Sequence, residues 1–180
     1  MFPFPTSYFE EKQTKRLFIR PIDPVDATTW CDYFRENDGL KYVGIADTEN
    51  AEECAKQWVE RQLWRYRTKQ YGLLALVEKD SNALVGQCGL LLQQVDGKFE
   101  IEIGYHVLPK FWGNGFATEA ALLFRDYAFE NKLRDSLISI IHVENIRSQR
   151  VAEKNKMTRE AQTEFKGFPV FVYRTNGVVK

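Results

Sequence analysis

Cysteine and histidine are scarce in this sequence, and the few present lie far apart. The cysteines are Cys31, Cys54 and Cys88, and the histidines are His106 and His142. An odd number of widely spaced cysteines provides neither a disulfide framework nor the paired spacing of a structural zinc site. The sequence therefore predicts reduced, mostly buried thiols and no metal site.

The sequence also lacks a surplus of either charge and a long apolar run. Lys plus Arg and Asp plus Glu each number 25, so the formal net charge is zero. Nucleic acids and anionic membranes are bound by clustered basic surfaces, and neither is an expected partner. No stretch approaches the ~20 apolar residues of a membrane helix, and residues 1–5 lack the basic start of a secretory signal. These absences predict a cytoplasmic protein.

Short hydrophobic patterns, separated by turn residues, continue along the whole chain. Residues 1–12 are expected to form an extended lead-in because they contain two prolines. Strands are predicted at 14–21, 73–77, 84–94, 99–108, 137–142, 158–167 and 170–177, and helices at 24–34, 49–69, 115–131 and 145–154. Asp47 and Thr48 precede the second helix. This order predicts one α/β domain over residues 1–180, with a mixed, mostly antiparallel central sheet flanked by helices.

Residues 112–118 join a strand to a helix through a turn that contains two glycines, Gly113 and Gly115. Glycine lets a ligand approach the backbone closely, and the first N–H groups of the following helix have no partner within it. The helix dipole adds partial positive charge, so the turn suits a pyrophosphate. A plain loop is the alternative explanation. The dinucleotide-binding and P-loop patterns do not match, because Thr118 occupies the third-glycine place and no Gly-Lys-Ser/Thr follows.

The stretch 102–120 resembles the GNAT acetyltransferase superfamily, and more narrowly the branch that contains the ribosomal-protein N-terminal acetyltransferases. Its sequence reads EIGYHVLPKFWGNGFATEA. Residues 14–21 and 126–129, and the helix that carries Asn145 and Ser148, are similar to the same branch, so the resemblance extends over residues 14–175. It implies a GNAT-type fold, acetyl-CoA as cosubstrate and transfer of the acetyl group to a primary amine.

The resemblance also implies where the cofactor binds. The family motif Gln/Arg-x-x-Gly-x-Gly/Ala falls on residues 112–117, with tryptophan in place of Gln or Arg. Backbone amides of residues 113–118 would hold the phosphates, the backbone near Val107 would pair with the pantetheine arm, and Asn145 would hydrogen-bond near the thiol end. The cofactor-binding residues so implied are Val107, Trp112, Gly113, Asn114, Gly115, Phe116, Ala117, Thr118 and Asn145.

Two side chains are candidates for the proton transfers that acetylation of an amine requires. Glu102, on the strand that leads into the cofactor site, is the candidate base, acting directly or through a water. Ser148 is the candidate acid that protonates the leaving thiolate. The alternative explanations are a solvated carboxylate on a strand face and a hydroxyl on a helix surface. The sequence leaves open whether His106 takes part.

The sequence therefore predicts an N-acetyltransferase that works by direct attack in a ternary complex, because no cysteine lies near the motif. The acceptor is a protein N-terminus or a small amine, and a homodimer is left open. A non-catalytic acyl-CoA-binding or sensor module is the alternative. One departure from the family is Lys156, which replaces a helix-ending glycine, so Asn155 is expected to take the left-handed conformation.

Overall fold

The computed structural model describes residues 4–35, 37–45 and 50–177. The strands are β1 (Lys12–Gln13), β2 (Leu17–Arg20), β3 (Leu73–Glu78), β4 (Leu84–Val95), β5 (Lys98–Val107), β6 (Ser136–His142), β7 (Thr158–Phe165) and β8 (Phe168–Asn176). The α-helices are α1 (Asp26–Arg35), α2 (Ala51–Arg67), α3 (Phe116–Glu130) and α4 (Ile146–Lys154). Short 3-10 helices lie at Thr6–Phe9, Leu40–Val43 and Pro109–Phe111. None of the described helices is long and apolar enough to cross a membrane.

The strands form one sheet in the order β1-β2-β3-β4-β5-β6-β8-β7. Neighbouring strands are antiparallel, except that β5 and β6 run parallel. The predicted mixed, mostly antiparallel sheet flanked by helices is therefore confirmed. The β4–β5 hairpin turns at Asp96 and Gly97, with φ of 48° and 76°. Asp-Gly pairs favour this left-handed turn conformation, which matches the twist of the two strands.

One face of the sheet is covered by α3. The side chains of the main core alternate along β3 and β5 and meet the apolar stripe of α3, as in the buried set Leu74, Leu76, Ile101, Ile103 and Phe124. Tyr105 of β5 packs at the edge of the same core. Because successive side chains of a strand point to opposite faces, this face receives the odd-numbered residues of β5.

The other face of the sheet is covered by α1 and α2. Trp30 of α1 and Val59 of α2 pack there against Ala75 of β3. The even-numbered residues of β5 belong to this face, and they include Glu102 and His106. The fold thus places the candidate base and the candidate cofactor helix α3 on opposite sides of one strand.

The N-terminal lead-in was predicted to be extended, and this expectation was wrong in part. Residues Thr6–Phe9 form a 3-10 helix, and Tyr8 is fully buried. The Tyr8 hydroxyl donates to the carbonyl of Gly72 at 2.6 Å and accepts from the N–H of Leu90 at 2.7 Å. Burying a large ring with both hydrogen-bonding functions satisfied outweighs the local preference of a proline-containing segment for extended chain.

One of two helix ends differs from expectation. Asn50 caps α2 by accepting from the N–H of Glu53 at 3.0 Å, whereas Asp47 and Thr48 lie outside the described residues. At the end of α4, Asn155 has φ −83° and Lys156 has φ 61°, so the expected left-handed Asn155 was wrong. Asn155 is buried and donates from its amide to Val151 C=O at 2.9 Å. The left-handed conformation therefore falls on the next residue, although lysine tolerates it less well.

Candidate active site

The sheet opens between β5 and β6. Within the described chain, their parallel pairing is registered at one pair, Glu102 with Ile138. Beyond that pair, the hydroxyl of Ser139 reaches across and donates to the carbonyl of Ile103 at 2.9 Å. In the described chain no further pair is registered toward the carboxyl ends of these two parallel strands, and the carboxyl ends of parallel strands are where open α/β sheets bind ligands.

The backbone of Val107 faces this opening. The N–H of Leu108 donates to the carbonyl of Val85 on β4 at 2.9 Å. Since hydrogen-bonded and non-hydrogen-bonded pairs alternate along an antiparallel ladder, the peptide groups of Val107 point away from β4. The Val107 carbonyl accepts from the indole N–H of Trp112 at 2.7 Å. The Val107 N–H therefore points into the opening as a candidate hydrogen-bond donor.

The glycine turn leads directly into α3. Gly113 and Gly115 both have φ of 81°, a conformation that other residues rarely adopt. A Cβ at Gly113 would meet nothing within 4 Å, so a ligand has room to approach. Gly115 is the residue before the first turn of α3 and has no side chain that could cap it. The first intrahelical bond runs from Glu119 N–H to Gly115 C=O, so the amides of residues 116–118 precede it.

The one carboxylate in the first turn of α3, Glu119, is neutralised by neighbours. Arg16 forms an ion pair with it at 2.7 Å, and Thr14 donates to it at 2.5 Å. Burial alone would raise the pKa of Glu119, but the hydrogen bonds from Thr14 and Arg16 lower it. Arg16 also donates to the carbonyl of Asn114 at 2.9 Å. The helix end thus keeps its positive character for an anion, because the local negative charge is already paired.

Glu102 is a half-buried carboxylate held by two donors. The side-chain amide of Gln93 donates to Oε2 at 2.6 Å, and the backbone N–H of Ile140 donates to Oε1 at 3.3 Å. Burial raises the pKa of Glu102, although both hydrogen bonds favour the ionised form. A carboxylate whose pKa is raised in this way is better matched to accepting and releasing protons near neutrality.

Asn145 and Ser148 lie together at the start of α4. Asn145 is the capping residue, and its Oδ1 accepts from the N–H of Ser148 at 3.2 Å. The hydroxyl of Tyr105 donates to the carbonyl of Ser148 at 2.9 Å, which ties α4 to β5 across the opening. The side-chain oxygen of Asn145 is thus engaged in capping, and its amide nitrogen is the group left for a ligand.

His106 lies in an aromatic surrounding on the α1–α2 face. Its Nδ1 is 2.8 Å from the hydroxyl of Tyr33, and its ring contacts Trp58 edge to face at 4.9 Å. Burial lowers the pKa of His106 to about 4, and burial raises that of Tyr33. Both shifts favour the uncharged forms of the two side chains at neutral pH, which share this hydrogen bond.

Known proteins match this arrangement. A model of the acetyltransferase (GNAT) domain matches residues 16–158. The chain belongs to the GNAT acetyltransferase family. It is 32% identical over 165 residues to the uncharacterized protein YkkB of Bacillus subtilis (strain 168), covering 89% of this chain and 92% of that protein. It is 26% identical over 155 residues, or 84% of each chain, to the uncharacterized N-acetyltransferase p20 of Bacillus licheniformis.

A solved GNAT structure agrees with the fold. RimL, a ribosomal L7/L12 α-N-protein acetyltransferase in complex with coenzyme A, superposes with a TM-score of 0.71 at 14% identity, over 93% of this chain and 98% of that one. At this identity the likeness speaks for the fold alone. The GNAT resemblance of residues 102–120 is confirmed as membership of the superfamily.

The GNAT fold brings the sequence-predicted residues to one opening but not into one cluster. Val107 and the turn 112–118 meet through Trp112, whereas Glu102 and Ser148 lie on different sides of β5. The sequence analysis assigned no site role to Tyr105 or Gln93. In the structure Tyr105 donates a hydrogen bond to the Ser148 carbonyl, and Gln93 donates one to the Glu102 carboxylate. An aromatic residue two positions before Val107 was the available signal. No group of three or more His, Cys, Asp and Glu residues is placed to hold a metal in the described ranges.

Proposed function

We propose that this GNAT protein transfers an acetyl group from acetyl-CoA to a primary amine by direct attack in a ternary complex. The observation that carries the proposal is the start of α3. Its first-turn amides follow two glycines with φ of 81°, and Gly115 has no side chain to cap them. They lie next to the strand opening, where the Val107 N–H is directed. Diphosphate and acyl arm would thus be bound by adjacent backbone groups.

The residues present fit acetyl-CoA. The amides of residues 113–118 would hold the diphosphate, and no heavy atom lies within 4 Å of a Cβ built at Gly113. The backbone of Val107 would align the pantetheine arm, and the Asn145 amide nitrogen would hold it near the thiol end. When bound, acetyl-CoA supplies an acetyl group activated as a thioester. The Val107 N–H is the donor available to a carbonyl oxygen at that point.

Glu102 and Ser148 are proposed to move the protons. Glu102 accepts the proton of the acceptor ammonium, directly or through a water, and its raised pKa brings it closer to that of the amine. The Ser148 hydroxyl delivers a proton to the departing sulfur as a solvent water replaces that proton on the Ser148 oxygen. Their positions on different sides of β5 support separate roles at the two ends of the transferred group.

Direct attack is favoured over an acyl-cysteine route by the surroundings of the thiols. Cys88 is fully buried in the core, and burial raises its pKa, so the thiolate nucleophile is suppressed. Cys31 is also buried, in α1, and its thiol lies 3.2 Å from the carbonyl of Ala27. The third cysteine, Cys54 on α2, is partly buried against the core of the α1–α2 face.

The acceptor is proposed to be a protein N-terminus or a small primary amine. The α-N-protein activity named for RimL belongs to that protein and makes peptides the first class to test. An amine panel, including peptides and small polyamines, is assayed for acetylation with acetyl-CoA as donor. We expect transfer to at least one class. CoA binding without transfer to any acceptor would favour the alternative, a non-catalytic acyl-CoA-binding or sensor module.

A further inference from the structure

The segment between α1 and α2 crosses the molecule, and we call its residues 37–45 the bridging segment. The ring of Tyr42 lies 5.1 Å from that of His142 at the end of β6. A Cβ at Gly44 would lie 3.0 Å from the ring of Phe168 at the start of β8, so these groups are in close contact. The bridging segment therefore extends from the α1–α2 face to the far side of the opening between β5 and β6.

Arg147 touches both this segment and the glycine turn. Its guanidinium forms an ion pair with Asp38 of the bridging segment at 2.5 Å. The same group covers the indole of Trp112, with Cζ 3.9 Å from the ring centroid. Trp112 is the first residue of the turn and is fixed to the end of β5 through Val107. One side chain thus joins the cofactor turn to the bridging segment.

We propose that Arg147 is a positioning residue that couples CoA binding at the glycine turn to the placement of the bridging segment. The proposal rests on the proposed function, since it takes CoA as the ligand of the turn. CoA phosphates at residues 113–118 fix the backbone that carries Trp112. The indole of Trp112 then fixes the orientation of the Arg147 guanidinium, which in turn binds the Asp38 carboxylate. The bridging segment is consequently best ordered once CoA is bound.

The contacts of Arg147 with Asp38 and Trp112 are weak enough to form and break reversibly. The Arg147 and Asp38 side chains are 51% and 72% exposed. Exposed ion pairs and exposed cation–π contacts are each weak, so we expect coupling of about three- to tenfold in affinity. Coupling of this kind is reciprocal, so the ordered bridging segment should tighten CoA binding by the same factor.

The shape of the side chain matters for this role. A guanidinium is planar and can stack on an indole while its edge meets a carboxylate, whereas an ammonium is a compact point charge. Arg147→Lys should therefore keep part of the attraction to Asp38 and lose the stacking on Trp112. Arg150, exposed and three residues further along the same helix, provides the matched control.

The test compares Arg147→Ala, Arg147→Lys, Asp38→Asn and the control Arg150→Ala with the parent. CoA affinity is measured by calorimetry, and amide hydrogen exchange of residues 37–45 is followed with and without CoA. In the parent and in Arg150→Ala, CoA should slow exchange of the bridging segment by at least about threefold. In Arg147→Ala and Asp38→Asn, this CoA-dependent slowing should disappear, and CoA affinity should fall about three- to tenfold.

Asp38→Asn decides the question, because the proposed coupling connects Asp38 to the turn only through Arg147, and the Asp38 side chain is 72% exposed. If the parent binds CoA but Asp38→Asn keeps both the affinity and the slowed exchange, the coupling is overturned and the proposed function stands. If the parent does not bind CoA, the coupling and the proposed function are both overturned. A merely structural Arg147 would lower the melting temperature of Arg147→Ala without changing the CoA-dependent part of the exchange.

Discussion

The N-termini of α3 and α4 are built in opposite ways. α4 begins at Asn145, whose side chain accepts a hydrogen bond from the first-turn N–H of Ser148 at 3.2 Å. α3 begins at Gly115, which has no side chain and a left-handed φ of 81°. α2 resembles α4, since Asn50 caps it. A side-chain cap stabilises a helix but occupies the amides that an anion would need.

The difference indicates a division of labour between the two helices. α3 has no side-chain cap, so its first-turn amides are available to a ligand. Arg16 forms an ion pair with Glu119, so the negative charge of Glu119 is balanced. In α4 the first-turn N–H of Ser148 is hydrogen-bonded to the cap and stabilises the helix. The Tyr105 hydroxyl donates to the Ser148 carbonyl, which holds Ser148 in place. In this account α3 binds and α4 positions a proton donor, while Glu102 acts from the opposite face of β5.

The largest effect is expected from replacing Glu102, the proposed base, because this change should lower turnover without weakening CoA binding. Glu102→Gln keeps the size of the side chain but cannot take a proton, so turnover should fall by about 100- to 1,000-fold. CoA affinity should stay within about twofold of the parent, since Glu102 lies away from the turn. Steady-state assays with the best acceptor from the panel and calorimetry with CoA measure the two quantities. Unchanged turnover would remove Glu102 from the mechanism.

Placing a carboxylate at Gly115, the residue before the first turn of α3, tests the contrast between the two helix starts directly. Gly115→Asp adds strain at a positive φ and a negative charge beside the diphosphate site, so CoA affinity should fall about 100-fold. Gly97→Asp is the matched control, because Gly97 has φ of 76° in a hairpin turn with nothing within 4 Å of an added Cβ. The control should share the strain and keep CoA affinity. Equal losses in both variants would contradict a phosphate site at α3.

Lowering the pH should destabilise the folded protein through the protonation of His106. Its folded-state pKa of about 4 lies below the ordinary 6.5, so the unfolded chain takes up a proton first as pH falls. Stability should therefore drop by about 2 kcal/mol between pH 7 and pH 5 and continue to fall toward pH 4. Glu102 acts in the opposite direction, because its raised pKa favours the folded state at low pH and this contribution is lost as pH rises.

Urea unfolding of the parent and of His106→Gln across this pH range measures the effect. The difference in stability between the two proteins should shrink as pH falls from 7 to 5, because only the parent carries the buried imidazole. A constant difference would mean that His106 titrates normally and is not held neutral by its surroundings.

The smallest effect is expected at the capped helices. Asn145→Ala and Asn50→Ala should each lower the free energy of unfolding by about 1 kcal/mol, as loss of a cap usually does. Only Asn145→Ala should also weaken CoA binding, by a few fold, because its amide nitrogen is proposed to contact the cofactor. Calorimetry on both variants checks this. Identical CoA affinities would make Asn145 a cap alone.

The sequence predicted those features that depend on local pattern. Hydrophobic patterns predicted every described strand except β1, and the two glycines before α3 predicted the turn. Each of these follows from the conformational preferences of neighbouring residues. The approximate helix positions followed from spacing in the same way, and family resemblance supplied the roles of the site residues.

The features that sequence reasoning missed depend on contacts between distant parts of the chain. Tyr8 is buried by hydrogen bonds to residues 64 and 82 positions away, which no local pattern contains. Lys156 is left-handed because burial fixes Asn155 before it. The contact of Arg147 with both Trp112 and Asp38 arises only when the sheet brings α4 beside the turn.

The most direct test of the central claim compares the affinities of CoA and pantetheine by calorimetry on the parent protein. The two ligands share the thiol arm, but pantetheine lacks the diphosphate that the amides of residues 113–118 are expected to hold. The account predicts that CoA binds at least about 100-fold more tightly. Equal affinities, or no heat with CoA, would contradict a diphosphate site at the start of α3.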